Sequence, residues 1–124
     1  MPIKVFLVED MPSVHAAVTD LLHTIGDFSL AGWAATEAEA NLWLEENASS
    51  WDLAIIDLVL DQGSGMGVIR NCRRTSPTGN VMVFSSYVTP GIYKHCLRLG
   101  ADAAIGKADT PAFIEYCSAL SASA

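Results

Sequence analysis

Five polar groups stand at the trailing edges of apolar runs: Glu9 and Asp10 behind "IKVFLV", Asp57 behind "LAII", Ser85 behind "VMVF", and Lys107 just past "ADAAIG". A carboxylate after Leu53, Ile55 and Ile56 is costly if it is buried alone, and ordinary if the strand ends there and opens into solvent. Taken singly, each group has a plain reading: acids cap helices, serine is common in turns, and a lone lysine sits on the surface. Taken together they are chemically complementary. Carboxylates held close repel and raise one another's pKa unless a cation neutralises them. Mg²⁺ suits that role, because it takes one or two carboxylates and keeps water or phosphate oxygens in its other positions. Asp57 beside such an ion is a nucleophile toward a phosphoryl donor and would form an acyl phosphate. The metal, Lys107 and the Ser85 hydroxyl would stabilise the oxygens of the transferring group.

These groups can meet only if the chain brings the run ends to one edge. Short β-rich runs at 3–8, 28–34, 53–57, 81–85 and 101–106 alternate with segments of helical period, which predicts an α/β fold with a mainly parallel sheet. In open sheets of that kind, ligands bind outside the carboxyl ends of the strands. Val14, Ala17, Val18, Leu21, Leu22 and Ile25 form one apolar stripe on a first helix that Gly26 ends. Thr36 with Glu39 is a capping-box pattern opening a second helix, whose buried side is Ala40, Leu42, Trp43 and Leu44. A third helix runs from Met66 to Thr75, and a fourth follows Pro90, carries Ile92, Cys96, Leu97 and Leu99, and stops at Gly100. Thr110-Pro111 opens a fifth.

With 124 residues the chain is one domain, 1–124. Apolar residues at 51% against 17% charged exclude a disordered chain. The longest apolar run, broken by Asp57, falls far short of the roughly 18 residues of a membrane span. The opening "MPIKVFLVED" reads as a first strand and not as a leader. Cys72, Cys96 and Cys117 are odd in number and widely spaced, which argues against disulfides or a zinc site and suits a cytoplasmic location. A net charge of −7 argues against direct binding of nucleic acid. Arg70, Arg73 and Arg74 read as a solvated helix face. His15 and His23 are eight apart, the wrong spacing for paired ligands, and with His95 read as surface or boundary residues. Trp33, Trp43 and Trp51 read as core and rim aromatics.

Along its whole length the chain resembles the receiver domains of bacterial two-component response regulators. Glu9-Asp10 after the first strand, "IIDLVLDQGSG" with Asp57 and Gly65, "VFSS" with Ser85, and "GADAAIGK" ending in Lys107 occur in that family's order. The resemblance implies a flavodoxin-like (βα)5 sandwich with five parallel strands in the order 2-1-3-4-5. It implies that Asp57 is the phosphoacceptor and that Asp10 and Asp57 are Mg²⁺ ligands, with Mn²⁺ as a substitute. Glu9 would act through water, and Val59 through its backbone carbonyl. Lys107 would pair with the phosphoryl group, and Ser85 would bond to it and report its presence. The phosphoryl group would come from a phosphohistidine of a sensor histidine kinase or a histidine phosphotransfer protein, and the aspartyl phosphate would shift binding to a downstream protein. On this view the chain is a stand-alone regulatory phosphoacceptor, catalysing only its own phosphorylation and dephosphorylation, with neither membrane nor nucleic acid as a partner.

Two positions depart from the family pattern. Receivers commonly carry an aromatic residue three before the lysine, where this chain has Ala104, so signalling is expected to run through Ser85 and the "SYVTPG" loop, with Tyr87 in play. Proline often follows the lysine, but here it is Ala108, and a trans bond is expected because a cis non-proline bond costs about 3 kcal/mol. Two other readings compete. A phosphatase of the haloacid dehalogenase type would want a second aspartate two residues after the first, where Val59 stands. A receiver-like module that binds partners without phosphorylation is the stronger rival.

Overall fold

The computed structural model describes residues 1–124, in which strands and helices alternate without exception. They are β1 (Ile3–Val8), α1 (Pro12–Ile25), β2 (Phe28–Ala34), α2 (Glu37–Glu46), β3 (Leu53–Ile56), α3 (Gly65–Thr75), β4 (Asn80–Ser85), α4 (Pro90–Leu99), β5 (Ala103–Gly106) and α5 (Thr110–Ser123). The strands form one parallel sheet in the order β2-β1-β3-β4-β5, the flavodoxin-like arrangement the sequence resemblance implies.

Register explains how the sheet separates two cores. Val8, Ile56, Val83 and Ala104 pair in one row across four strands, and Leu7, Ile55, Met82 and Ala103 form the row before it. Successive side chains on a strand point to opposite faces. The first row accordingly packs with Ala40 and Leu44 of α2, Val68, Ile69 and Cys72 of α3, and Cys96 of α4. The second packs with Val18 and Leu22 of α1 and with Phe113 and Cys117 of α5. Strands buried on both faces carry near-continuous apolar runs, which is why β3 reads Leu-Ala-Ile-Ile with every residue buried.

Several boundaries differ from the sequence expectation, each for a local reason. β3 stops at Ile56, one residue short, leaving Asp57 outside the ladder. β5 begins at Ala103 and not at residue 101, because the Ala101 N–H closes α4 onto Cys96 O and Asp102 braces Val81 through backbone and carboxylate. α3 begins at Gly65, since the Ser64 hydroxyl already caps it by accepting from Met66 N–H at 3.1 Å. The cap of α5 is Asp109, one residue before Thr110.

Three residues of the expected apolar helix faces are exposed, Leu97 of α4 among them. Leu42 lies on the solvent side of α2, because Ala40 and Leu44 hold the buried stripe and a residue midway between them is turned about 200° away. Trp43 instead reaches inward and stacks on Phe6, with ring centroids 4.1 Å apart. Ala17 sits at the rim of the α1 stripe and faces solvent.

The arginine cluster is not one solvated face. Arg73 donates from Nε to Gly100 O at 2.6 Å, from Nη1 to Gly79 O at 2.6 Å, and from Nη2 to Asp102 at 2.6 Å. One guanidinium therefore ties α3 to the ends of two loops, whereas Arg70 is exposed and Arg74 pairs with Glu45 on the surface.

Candidate functional site

The end of the β1–β3 pair places the acids. Val8 is opposite Ile56, so the next residues, Glu9 and Asp57, emerge side by side where both strands leave the core. Their backbones stay anchored: Asp57 N–H donates to Val8 O at 3.0 Å, and Glu9 N–H to Ala34 O at 3.0 Å. Lys107 arrives from the other side of the sheet by the same logic. Ser85 pairs with Gly106, and the Lys107 N–H donates to Ser85 O at 2.9 Å, holding the lysine one step past the strand.

The side chains converge. One carboxylate oxygen each from Glu9, Asp10 and Asp57 lie within 4.8 Å of one another. Lys107 Nζ bridges two of these acids, 2.8 Å from Glu9 Oε1 and 3.0 Å from Asp57 Oδ2. Glu9 and Asp57 are nearly enclosed, at 4% and 6% exposure, while Asp10 is half-buried at the rim. Asp10 Oδ2 accepts from Asp61 N–H at 2.8 Å, Glu9 Oε2 from Met11 N–H at 3.1 Å, and Asp57 Oδ1 from Val59 N–H at 3.4 Å.

Electrostatics shows an incomplete balance. Burial raises the Glu9 carboxyl above its ordinary range; the bonds from Lys107 and Met11 N–H pull it down, and the charge of Asp57 pushes it up again. Burial alone would lower the Lys107 ammonium, but its bonds to Glu9 and Asp57 outweigh that and raise it. One ammonium thus faces three acids. A hard divalent cation fits this donor set, because the ligands are all carboxylate oxygens close enough to share one ion and short of neutralising charge.

Ser85 is fully buried at the end of β4, and its hydroxyl accepts from Tyr87 N–H at 3.4 Å. Val59 is exposed, and its backbone pairs with Ser64 across the loop after Asp57. Gly65 is required at the foot of that loop, since a Cβ there would strike the Asp57 carbonyl oxygen. The Lys107–Ala108 bond is trans, as expected. Beside Ala104 lies an open recess of roughly 660 Å³ lined in part by Val88, Ile105, Ala108 and Pro111, and Tyr87 stands outside its lining, 60% exposed.

Two features of the site escape a sequence reading. His15 is a half-buried boundary residue, as expected, but it also lines a cleft of roughly 250 Å³ with Glu9, Asp10, Pro12 and Trp33, its ring edge-on to Trp33 at 5.3 Å. Glu37, at the start of α2, bonds to the loop that follows Asp57. Gly63 and Gly67 are the sequence signal for that contact, because a Cβ at either position would meet the Glu37 side chain as it is placed.

Known proteins share this fold. Residues 5–116 match the response regulator receiver domain. The DNA-binding transcriptional activator DevR/DosR of Mycobacterium tuberculosis is 28% identical over 105 residues, which is 85% of this chain and 48% of that protein. A cyclic di-GMP phosphodiesterase of Thermotoga maritima is 30% identical over 103 residues, 83% of this chain and 26% of that protein. The chain spans about half the length, or less, of the curated relatives it matches. Among solved structures, the CheX–CheY–BeF3–Mg²⁺ complex of Borrelia burgdorferi superposes with a TM-score of 0.85 at 20% identity, covering 94% of this chain and 87% of the other. The response regulator domain of Thermotoga maritima CheB gives 0.83 at 20% identity, covering 100% and 98%. With the fold, the ordered acids and the match over nearly its whole length in agreement, the chain belongs to the receiver domains of two-component response regulators.

Proposed function

We propose that this receiver domain, residues 1–124, is a phosphoacceptor: Asp57 takes a phosphoryl group from a phosphohistidine in a Mg²⁺-dependent reaction, and the aspartyl phosphate changes what the domain binds. The observation that carries this reading is the Lys107 ammonium held between Glu9 and Asp57 inside a cluster of three acids. In the transfer an Asp57 carboxylate oxygen attacks phosphorus, the donor's P–N bond breaks, and its electron pair leaves with the imidazole nitrogen. Lys107 exchanges a carboxylate contact for a phosphoryl oxygen, and Ser85 offers its hydroxyl to another. Asp10, Asp57 and the Val59 carbonyl would hold Mg²⁺, or Mn²⁺ in its place, with Glu9 acting through water, and the bound ion would supply charge neutralisation for the developing oxyanions. The cleft beside Glu9, Asp10 and His15 is the open approach for a donor.

The donor is a sensor histidine kinase or histidine phosphotransfer protein, and the setting is the cytoplasm. No helix is long and apolar enough to cross a membrane. With a formal charge of −7 the domain acts through a protein partner or an attached segment and does not grip nucleic acid itself. Because Ala104 leaves no aromatic side chain to turn inward, the signal passes from Ser85 into residues 85–99. Beryllofluoride with Mg²⁺ is expected to change hydrogen exchange across that segment, and an unchanged pattern contradicts this route. The same Ala104 favours the second reading, a module that binds partners without phosphorylation.

Acetyl phosphate separates the possibilities. The expected result is one phosphoryl group per chain with Mg²⁺ and none with a chelator. Continuous turnover of an aryl phosphate would point to a phosphatase, and an absence of labelling would leave the binding module.

A further inference from the structure

Resting on the phosphoacceptor reading, we propose that Glu37 is a positioning residue for the cation site, clamping the loop after Asp57 at an amide separate from the one Asp10 holds. That loop, residues 58–64, has two polar attachments to neighbouring elements on its amides. Asp61 N–H is held by Asp10 Oδ2 at 2.8 Å, and Ser64 N–H is held by Glu37 Oε1 at 2.7 Å. The Glu37 backbone adds a third tie, its N–H donating to Gln62 O at 3.1 Å. Ser64 in turn pairs with Val59 across the loop and caps α3. Glu37 therefore fixes the residue opposite Val59, while Asp10 is fixed by an amide three residues from Ser64.

Two glycines make room for this clamp. Gly63 has φ +88°, and a Cβ there would meet Glu37 Cβ, while a Cβ on Gly67, inside α3, would collide with Glu37 Oε2. Alanine is the better helix former, so glycine at position 67 is explained by the approach of the carboxylate and not by α3 itself. A loop held at its middle and at its far end presents Asp10 and Val59 already ordered. Without Glu37, the ion would have to order the loop as it binds, which weakens binding.

The test is a Mg²⁺ titration read from the backbone amide signals of Asp10, Asp57 and Asp61, together with amide exchange at Ser64. Glu37→Ala is expected to weaken Mg²⁺ about tenfold, the scale at which supporting partners act on metal sites, and to speed exchange at Ser64. Glu37→Gln keeps an acceptor oxygen and restores most of the affinity. Gly67→Ala, which favours the helix, weakens Mg²⁺ in the wild-type background and adds nothing to Glu37→Ala. Wild-type affinity in Glu37→Ala, an effect of Gly67→Ala that persists without Glu37, or a Gln variant as impaired as Ala overturns the clamp while leaving the phosphoacceptor reading intact. A wild-type chain indifferent to Mg²⁺ overturns both.

Discussion

Glu9 and Lys107 set the terms of the site before any ion or phosphoryl group arrives. Burial lifts the Glu9 carboxyl, so folded chains hold its proton more tightly than unfolded ones. Its contribution to stability is then fully present below its ordinary value of 4.5 and is lost as pH rises through the lifted value. In metal-free samples the wild type should gain stability relative to Glu9→Gln as pH falls from neutrality toward 4.5; thermal unfolding of both across that window checks it, and a constant difference contradicts it. Lys107 behaves with the opposite partner but the same direction: its raised ammonium stabilises the fold at neutral pH and stops doing so only in strongly alkaline solution. Glu9, Asp10, Asp57 and Lys107 were legible in the sequence because each stands within two residues of the end of an apolar run, and a parallel sheet sends all such ends to one edge. Glu37 escapes a reading by run ends, since its bond to Ser64 spans 27 residues and exists only once the start of α2 meets the loop after Asp57. His15 stands at the boundary as its spacing suggested, but spacing within α1 says nothing about Trp33, which β2 brings against it.

Among the elements, α3 shows how equal residues on one helix acquire unequal roles. Arg70, Arg73 and Arg74 look alike in sequence, yet only Arg73 meets the carbonyls of Gly79 and Gly100, which close the loop before β4 and the end of α4. Lysine cannot reproduce that fork. Arg73→Lys should cost about 1–3 kcal/mol in urea unfolding, while Arg74→Ala, whose pairing with Glu45 is exposed, should cost less than about 1 kcal/mol. Equal losses for the two would contradict this division. Helix α2 carries the complementary lesson. Its cap is legible, with Thr36 accepting from Glu39 N–H at 3.1 Å, but its buried face is not fixed by counting apolar residues. Leu42 is apolar and exposed because Ala40, Leu44 and the Trp43–Phe6 stack already fill the groove against β1. Where a helix is short and rich in apolar side chains, packing chooses among them.

For the molecule as a whole, the fold was legible because alternating runs of two periods leave little choice of architecture. Register was not readable in advance, yet it is what turns a list of strand ends into a site: the pairing of Val8 with Ile56, and of Ser85 with Gly106, decides which side chains share an edge. An ion that binds only the folded arrangement must stabilise it by mass action, about 2.7 kcal/mol at a hundred times its dissociation constant. Saturating Mg²⁺ should therefore raise the melting temperature of the wild type and leave that of Asp10→Asn nearly unchanged; equal shifts would mean binding elsewhere. Whether these acids order a cation so that Asp57 alone accepts a phosphoryl group can be read by chemical trapping. After incubation with acetyl phosphate, borohydride converts an aspartyl phosphate to an alcohol that peptide mass spectrometry can place. The reduced residue is expected at position 57 when Mg²⁺ is present, and none when it is chelated. Modification at another residue, or at position 57 to the same extent without the ion, would contradict it.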